Sequence, residues 1–336
     1  MSVRREFCTL FDSGYLFKAL ALYESLERHC EDFHLTALSF DEEAERMLKL
    51  LSLPHLSVLP LAELERADLG FAATKADRTR FEYCCTATPA LPLYLLQTRP
   101  ELDEITYLDA DLLFFSDPEP LFDEMGDASI LITPHRFPPY LRHYEANGVY
   151  NVQFMTFRRT DDGLAALKWW HERCLEWCYL RLEDGKFADQ KYLDDWPDRF
   201  AGVHVLRHKG GGVAPWNLDL LELREEDSRV TVDGEPLVFF HFHRVRVRED
   251  GGYDWRAPGY LGASPAAYEL VYRPYLAALD EAKQRVWAFD PSFRSGLVPA
   301  LGARQKLSAA RANLGVRVAR LAPGLVRLRH RRVLRR

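Results

Sequence analysis

Ile105-Thr-Tyr-Leu-Asp-Ala-Asp-Leu-Leu-Phe-Phe-Ser-Asp-Pro118 decides how the chain is read. An apolar, β-prone run climbs to Asp109, steps over Ala110 and presents Asp111, and a second apolar run, Leu112–Phe115, follows at once. Two carboxylates inside so apolar a stretch are costly to bury unpaired. A strand that ends at Asp109 accounts for them, because the C-terminal ends of strands open on the crevice where ligands sit in open α/β sheets. Two carboxylates one residue apart can share a divalent cation there. A hard cation held in this way fills its remaining sites with water and phosphate oxygens. The stretch therefore points to a metal-bound diphosphate, against the plain alternative of a turn with two solvated aspartates. A lone Asp-x-Asp does not choose between them; its context does.

Length and composition set the frame. A chain of 336 residues with 47% hydrophobic and 12% aromatic residues has enough apolar surface for a sizeable core. No stretch of about 18 apolar residues is present, so a membrane span is not expected. The start, Met1-Ser-Val-Arg-Arg-Glu-Phe7, has no apolar signal region, and a cytoplasmic location is the expectation. Cys8, Cys30, Cys84, Cys85, Cys174 and Cys178 include no C-x-x-C pair, which argues against a zinc ribbon. They are expected to be reduced and mostly buried, with Cys174 and Cys178 on one face of a helix.

The net charge of −6 conceals an asymmetry: residues 291–336 hold twelve Lys+Arg and no acid, leaving 32 Lys+Arg against 50 Asp+Glu in residues 1–290. An acidic body with a basic tail suggests an anionic partner for the tail alone. Leu307, Leu314, Val318 and Leu321 lie near one stripe at helical spacing among the arginines of this tail. Such a stretch can lie in the interface of an anionic membrane, peripheral on its inner face. Nucleic acid is not the expected partner, because residues 302–336 carry no aromatic residue for stacking and the body is acidic.

In chain order, Glu6–Phe11 reads as a first strand that ends at Asp12-Ser13-Gly14. A helix should follow through about Cys30, with Leu16, Leu20, Tyr23 and Leu26 inward. Phe33–Phe40 is β-like, Asp41 is placed to cap a helix Glu42–Leu51, and Leu56–Leu59 is a short strand. This β-α-β-α-β order predicts a parallel, doubly wound sheet. Asp12, at the end of the first strand, is either a nucleotide contact or a helix cap. Phe71–Arg99 reads as one helix kinked at Pro89 and Pro92, with Lys75, Arg78 and Arg80 as a solvated cluster at its start or a diphosphate contact. Ser129–Thr133 and Val152–Phe157 are expected strands, His135–Gly148 a loop near the site, and Leu164–Leu182 a helix burying Leu164, Leu167, Trp170, Cys174, Trp177 and Cys178. Lys209-Gly210-Gly211-Gly212 is a poor match to G-x-G-x-x-G and reads as a flexible loop allowing close backbone approach. Leu237–His243 is a late strand whose His241 and His243 share one face and can reach one cation. Pro265–Val286 is a final helix.

The succession of these features resembles the glycosyltransferases related to glycogenin and to the bacterial lipopolysaccharide galactosyltransferases, over about residues 5–245. It comprises an aspartate after the first strand, Tyr107-Leu108-Asp109-Ala110-Asp111, Asn151 before a strand, Asp189-Gln190, Trp216-Asn217 and His241-Phe242. The resemblance implies a distant branch of that family (family eight-like) with a GT-A fold: a single Rossmann-like α/β domain with a mixed central sheet. Residues 1–260 would form it, 261–290 a helix packed on it, and 291–336 the tail.

The resemblance further implies a hexosyltransferase that moves a sugar from a nucleotide-diphosphate sugar, UDP-sugar favoured, with retention of configuration. Mn²⁺ or Mg²⁺ would serve as cofactor, and the acceptor would be a glycan or lipid-linked saccharide of polysaccharide biosynthesis. The metal set carries onto Asp109, Asp111 and His241, with His243 as rival. Donor binding falls to Thr9, Asp12, Tyr15, Arg80, Asp109, Asn151, Trp216 and Asn217. Asp189 and Gln190 lie beside the donor sugar as the catalytic pair; whether either attacks covalently or the acceptor attacks on the leaving-group face stays open.

Two departures stand out. The family's Asn-x-Gly is here Asn151-Val152-Gln153, and its Lys-Pro-Trp after His-Phe-Gly is replaced by His243-Arg244-Val245-Arg246, so an arginine must take the lysine's diphosphate contact or the contact is lost. Three other classes remain. A sugar-1-phosphate nucleotidyltransferase would need a Gly-rich loop with Arg after the first strand, which Phe11-Asp12-Ser13-Gly14-Tyr15 is not. A metal-dependent nucleotide-sugar hydrolase would use both motifs without transferring to an acceptor. A sugar-nucleotide binding protein would keep the aspartates and turn nothing over.

Overall fold

The computed structural model describes residues 4–257, 259–260 and 264–299; the expected helical stripe in the tail lies outside them. The strands in chain order are β1 Arg5–Phe11, β2 Phe33–Ser39, β3 Leu56–Pro60, β4 Glu104–Leu108, β5 Leu112–Phe114, β6 Ile130–Pro134, β7 Tyr150–Arg158 and β8 Val203–Val205. They continue as β9 Leu223–Glu226, β10 Arg229–Val232, β11 Glu235–Pro236, β12 Phe239–His241, β13 Arg246–Arg248, β14 Tyr253–Asp254 and β15 Leu297–Val298. The helices are α1 Leu16–His29, α2 Glu42–Leu51, α3 Leu61–Ala67, α4 Leu69–Thr74, α5 Arg80–Thr98, α6 Glu119–Met125, α7 Asp161–Glu176, α8 Trp196–Arg199, α9 Pro265–Ala267 and α10 Arg273–Phe289.

Seven strands form the central sheet in the order β3-β2-β1-β4-β7-β6-β8. The first four run parallel, as the β-α-β-α-β pattern requires, and β7 then enters antiparallel to both β4 and β6. Alternation along each strand sends Phe7, Leu108, Leu131 and Phe154 to one face and Cys8, Tyr107, Ile130, Ile132 and Met155 to the other. The first face is covered by α1, α2 and α10, the second by α5 and α7. Chain order reverses between β1 and β4, which makes their C-terminal ends the crevice of the sheet.

Local signals set many of the boundaries. Asp41 accepts from Ala44 N at 2.8 Å and caps α2 as expected. Thr79 and Glu82 form a capping box, so α5 starts at Arg80 and the single helix expected over Phe71–Arg99 is instead α4 and α5 with a break between them. The charges around that break are paired: Lys75 with Glu65, Arg78 with Asp77 and over the Tyr179 ring at 3.9 Å, Arg80 with Asp12 and Asp41.

Further expectations are corrected. The helix expected to reach Leu182 ends at Glu176. Trp177 goes extended, its carbonyl accepts from Tyr192 Oη at 2.7 Å, and Cys178 is buried beyond the helix rather than on its face. Residues 139–147 wind into 3₁₀ turns where a loop was expected. The strand expected over Leu237–His243 is only β12, because Phe242 N turns to donate to Asp111 O and Arg244 takes a positive φ of 65°. Pro265–Phe289 is one helical run interrupted by a π turn at Tyr268–Tyr272.

The triple glycine is buried, and what approaches it closely is the protein's own backbone. Val238 N and Phe239 N donate to Gly210 O, and a Cβ on Gly210 would stand 1.8 Å from Pro236 O. Gly210→Ala must push the segment entering β12 aside. We expect a loss of more than about 2 kcal/mol in denaturant unfolding; an unchanged midpoint would show that the loop has room to give.

Candidate active site

The Asp-x-Asp stretch joins two sheets. β4 ends in the central sheet, and β5 pairs antiparallel with β12 in a separate two-stranded ladder. The register places His241 opposite Leu112, and Phe242 N bonds Asp111 O at 2.9 Å. Pairing between segments 130 residues apart in sequence thus delivers the imidazole to the carboxylates. Asp109 is held at its own N–H by Gln153 O at 3.0 Å, and Tyr107 Oη donates to Asp109 Oδ1 at 3.2 Å.

His241 Nε2 lies 3.0 Å from Asp111 Oδ1 and 3.8 Å from Asp109 Oδ2. Among the described residues, Asp109, Asp111 and His241 are the one set of three metal-type ligands, with one ligand atom from each within 4.8 Å of the others. His243 is partly buried in the following turn, its ring 5.8 Å from that of His241, and is not in the set. The electrostatics fit a divalent cation. Burial, with Asp111 adding to it, pushes Asp109 up to about 6 despite the pull of His241. Asp111 is equally penalised by burial, but His241 and Lys18 outweigh that and hold it well below the usual carboxylate range. Two crowded carboxylates with an imidazole nitrogen are a donor set that suits a divalent cation.

Lys18, on α1, was missed by the sequence reading. It is buried, its Nζ stands 3.5 Å from Asp111 Oδ2 and 4.0 Å from the centre of the Tyr15 ring, and burial lowers its pKa. The signal available was a lysine on a helix otherwise facing the core. His135 was named only as part of a loop; it is buried, with Nε2 3.0 Å from Asn151 Nδ2, and burial lowers it to about 3.

The remaining candidates fall into place unevenly. Thr9 is buried on β1 with its hydroxyl unpartnered among the described residues. Asp12 accepts from Gly14 N, which realises the cap, while Arg80 Nε approaches it at 3.4 Å. Tyr15 is exposed. Trp216 packs edge-on against His241, ring centres 5.3 Å apart, and donates to His135 O. Asn217 spends its amide on the loop itself: Nδ2 to His135 O and Gly212 O, Oδ1 from Ala214 N. Gln190 donates to Asn147 O at 2.9 Å.

Asp189 is buried, and desolvation, with a contribution from Asp109, pushes it up to about 7. A carboxyl raised so far above its unfolded value of about 3.9 holds its proton more tightly in the folded state. Its ionisation therefore costs stability, increasingly so as pH rises from about 4 to 7. We expect Asp189→Asn to raise stability by on the order of 1–3 kcal/mol above neutral pH and to give no gain near pH ~4. Thermal unfolding across that range checks it; a pH-independent difference would contradict the raised pKa.

No family model matches this chain. It is 30% identical over 298 residues to YfnD of Bacillus subtilis (strain 168), covering 87% of this chain and 94% of YfnD. To YfnF of the same strain it is 35% identical over 251 residues, covering 72% and 82%. Both relatives are uncharacterised proteins. Among solved structures it superposes on the galactosyltransferase LgtC, crystallised with donor and acceptor sugar analogues, at a TM-score of 0.50. Identity there is 15%, with 84% of this chain and 95% of LgtC covered. The shared architecture is the GT-A fold, and the chain belongs to the family of YfnD and YfnF.

Proposed function

We propose that the protein is a metal-dependent glycosyltransferase of the glycogenin and lipopolysaccharide galactosyltransferase type, taking a sugar from a nucleotide diphosphate, UDP favoured, to a glycan or lipid-linked acceptor. The observation that carries the reading is the convergence of Asp109, Asp111 and His241 at the crevice of the sheet. In the reaction the bond from the sugar's anomeric carbon to the diphosphate oxygen breaks, its electrons leaving on the phosphate. The acceptor hydroxyl oxygen bonds that carbon and gives up its proton. Asp109, Asp111 and His241 would hold a divalent cation, which would supply positive charge at the departing phosphate.

The chain's own residues do the rest. Lys18 adds a fixed positive charge beside Asp111, in a place where water screens it little. Arg80, at the start of α5 and 3.4 Å from Asp12, sits where the nucleotide would be read. Asp189 and Gln190 face the sugar and act on its oxocarbenium-like state with retention of configuration. In this reading residues 1–260 are the catalytic domain, 261–290 a helix packed on it, and 291–336 the basic tail, whose first residues, Phe293 and β15, are held on the body.

Asp109→Asn and Asp111→Asn should each abolish transfer and remove Mn²⁺-dependent thermal stabilisation by a UDP-sugar, with the metal-free fold intact. In a panel of nucleotide sugars, a UDP-sugar at 100 times its Kd should add about 2.7 kcal/mol. Wild-type turnover in either variant would remove the metal from the mechanism. Donor hydrolysis without transfer to any acceptor would favour a hydrolase.

The tail's twelve cationic residues and lack of acids support a cytoplasmic enzyme attached to an anionic membrane face, where a lipid-linked acceptor would reside. No helix among the described residues is long and apolar enough to cross a membrane, so the tail would carry this attachment. The full-length protein should sediment with anionic vesicles at low salt and be released at high salt; failure to bind at low salt would discard membrane attachment.

A further inference from the structure

We propose that Gln153 is the positioning residue that makes His241 a metal ligand: its amide oxygen keeps the imidazole proton on Nδ1, so that Nε2 faces Asp109 and Asp111 with its lone pair. The inference rests on the metal-dependent reading above.

Gln153 is fully buried in the middle of β7. Its Oε1 lies 2.7 Å from His241 Nδ1, and its backbone carbonyl accepts from Asp109 N at 3.0 Å. One residue therefore touches two of the three members of the cluster, one through its side chain and one through its main chain. A carbonyl oxygen only accepts, so the contact requires a proton on Nδ1. An imidazole that binds a cation is neutral and has one N–H, so with that proton on Nδ1 the ligand atom is Nε2, which meets Asp111 Oδ1 at 3.0 Å as a donor when no cation lies between them. The backbone of His241 is fixed by donation to Val213 O, and Trp216 meets its ring edge-on, but neither chooses the tautomer.

The position of Gln153 is itself secured. Its N–H donates to Asn151 Oδ1, which orients the Asn151 amide so that Nδ2 donates to His135 Nε2. His135 Nδ1 then faces Val149 O at 3.3 Å. A shift in the β6–β7 register between Leu131 and Thr133 sets Asn151 opposite Thr133 at the start of this relay. Gly212, at φ +76°, leaves room beside it: a Cβ there would fall 2.6 Å from Thr133 Cγ2 and 3.5 Å from Gln153 Nε2. The opposite amide orientation would aim Nε2–H at Nδ1 and force the imidazole proton toward the carboxylates, which no cation between them tolerates. Glycine, the residue that the resembling family carries here, has no side chain to offer the imidazole.

Nitrogen-15 NMR of the wild-type protein, metal-free above neutral pH and loaded with Mg²⁺, reads the tautomer directly, with His241→Asn assigning the signal. A proton on Nδ1 in both states, with none on Nε2 once Mg²⁺ is bound, is the expected result; an Nδ1 without a proton in the loaded protein overturns the proposal. Gln153→Met fills the same space without an acceptor and should weaken Mn²⁺ binding about 10- to 100-fold, with metal-free unfolding unchanged. Gln153→Glu accepts the same proton and should hold Mn²⁺ affinity within a few-fold of wild type. Unchanged Mn²⁺ affinity in Gln153→Met overturns this inference alone. No Mn²⁺ binding by the wild type overturns the metal site of the proposed function, and this inference with it.

Discussion

Two carboxylates one residue apart, Asp109 partly buried and Asp111 buried, are the constraint around which the molecule is arranged. Each is penalised by loss of water and by the other's charge, and neither is tolerable alone in such a place. The fold answers with an imidazole and an ammonium from two distant parts of the chain: His241 through the β5–β12 ladder and Lys18 through α1. The answer is unequal. Asp111, contacted by both, is strongly acidic, while Asp109 is left raised to about 6. A pair of neighbouring carboxylates pushed apart in this way is characteristic of a site prepared for an ion or a reaction rather than for stability.

The remaining architecture serves that cluster. The parallel half of the sheet brings Asp12 and Asp109 to one edge through adjacent strands β1 and β4. The antiparallel strand β7 then lies against β4 and contributes its interior: Gln153 to Asp109 and His241, Asn151 to His135. The buried glycine loop packs under β12, and Trp216 at its end covers His241. Elements that bear no charge thus decide where the charges stand. A buried polar network of this kind is stable only when nearly every member is satisfied, which ties the precision of the site to the packing beneath it.

Much of the frame was legible in local pattern. Strand alternation, the Asp41 cap and the acidic first turn of α2 are short-range signals, and they place β1, α1, β2, α2 and β3 within a residue or two. Boundaries set by tertiary contacts were not legible. Glu176 ends a helix whose sequence continues to look helical, because Trp177 and Cys178 find burial by leaving it. The triple glycine read as a flexible loop allowing close backbone approach; the approach is there, between two stretches of the chain's own backbone, but the loop is buried.

The sequence by itself determined the residue types of the site: Asp109 and Asp111 one apart at a strand end, and a histidine in a late apolar strand. Spacing along one strand is short-range geometry, so it survives whatever the rest of the chain does. The family resemblance favoured His241 over His243; the lysine beside Asp111 and the amide beside the imidazole came only from the tertiary structure. β5 and β12 meet in one register, that register ends at His241, and the turn after it carries His243 out of the set. Lys18 and Gln153 look like ordinary core-facing positions in the sequence, because the groups they touch lie 93 and 88 residues away.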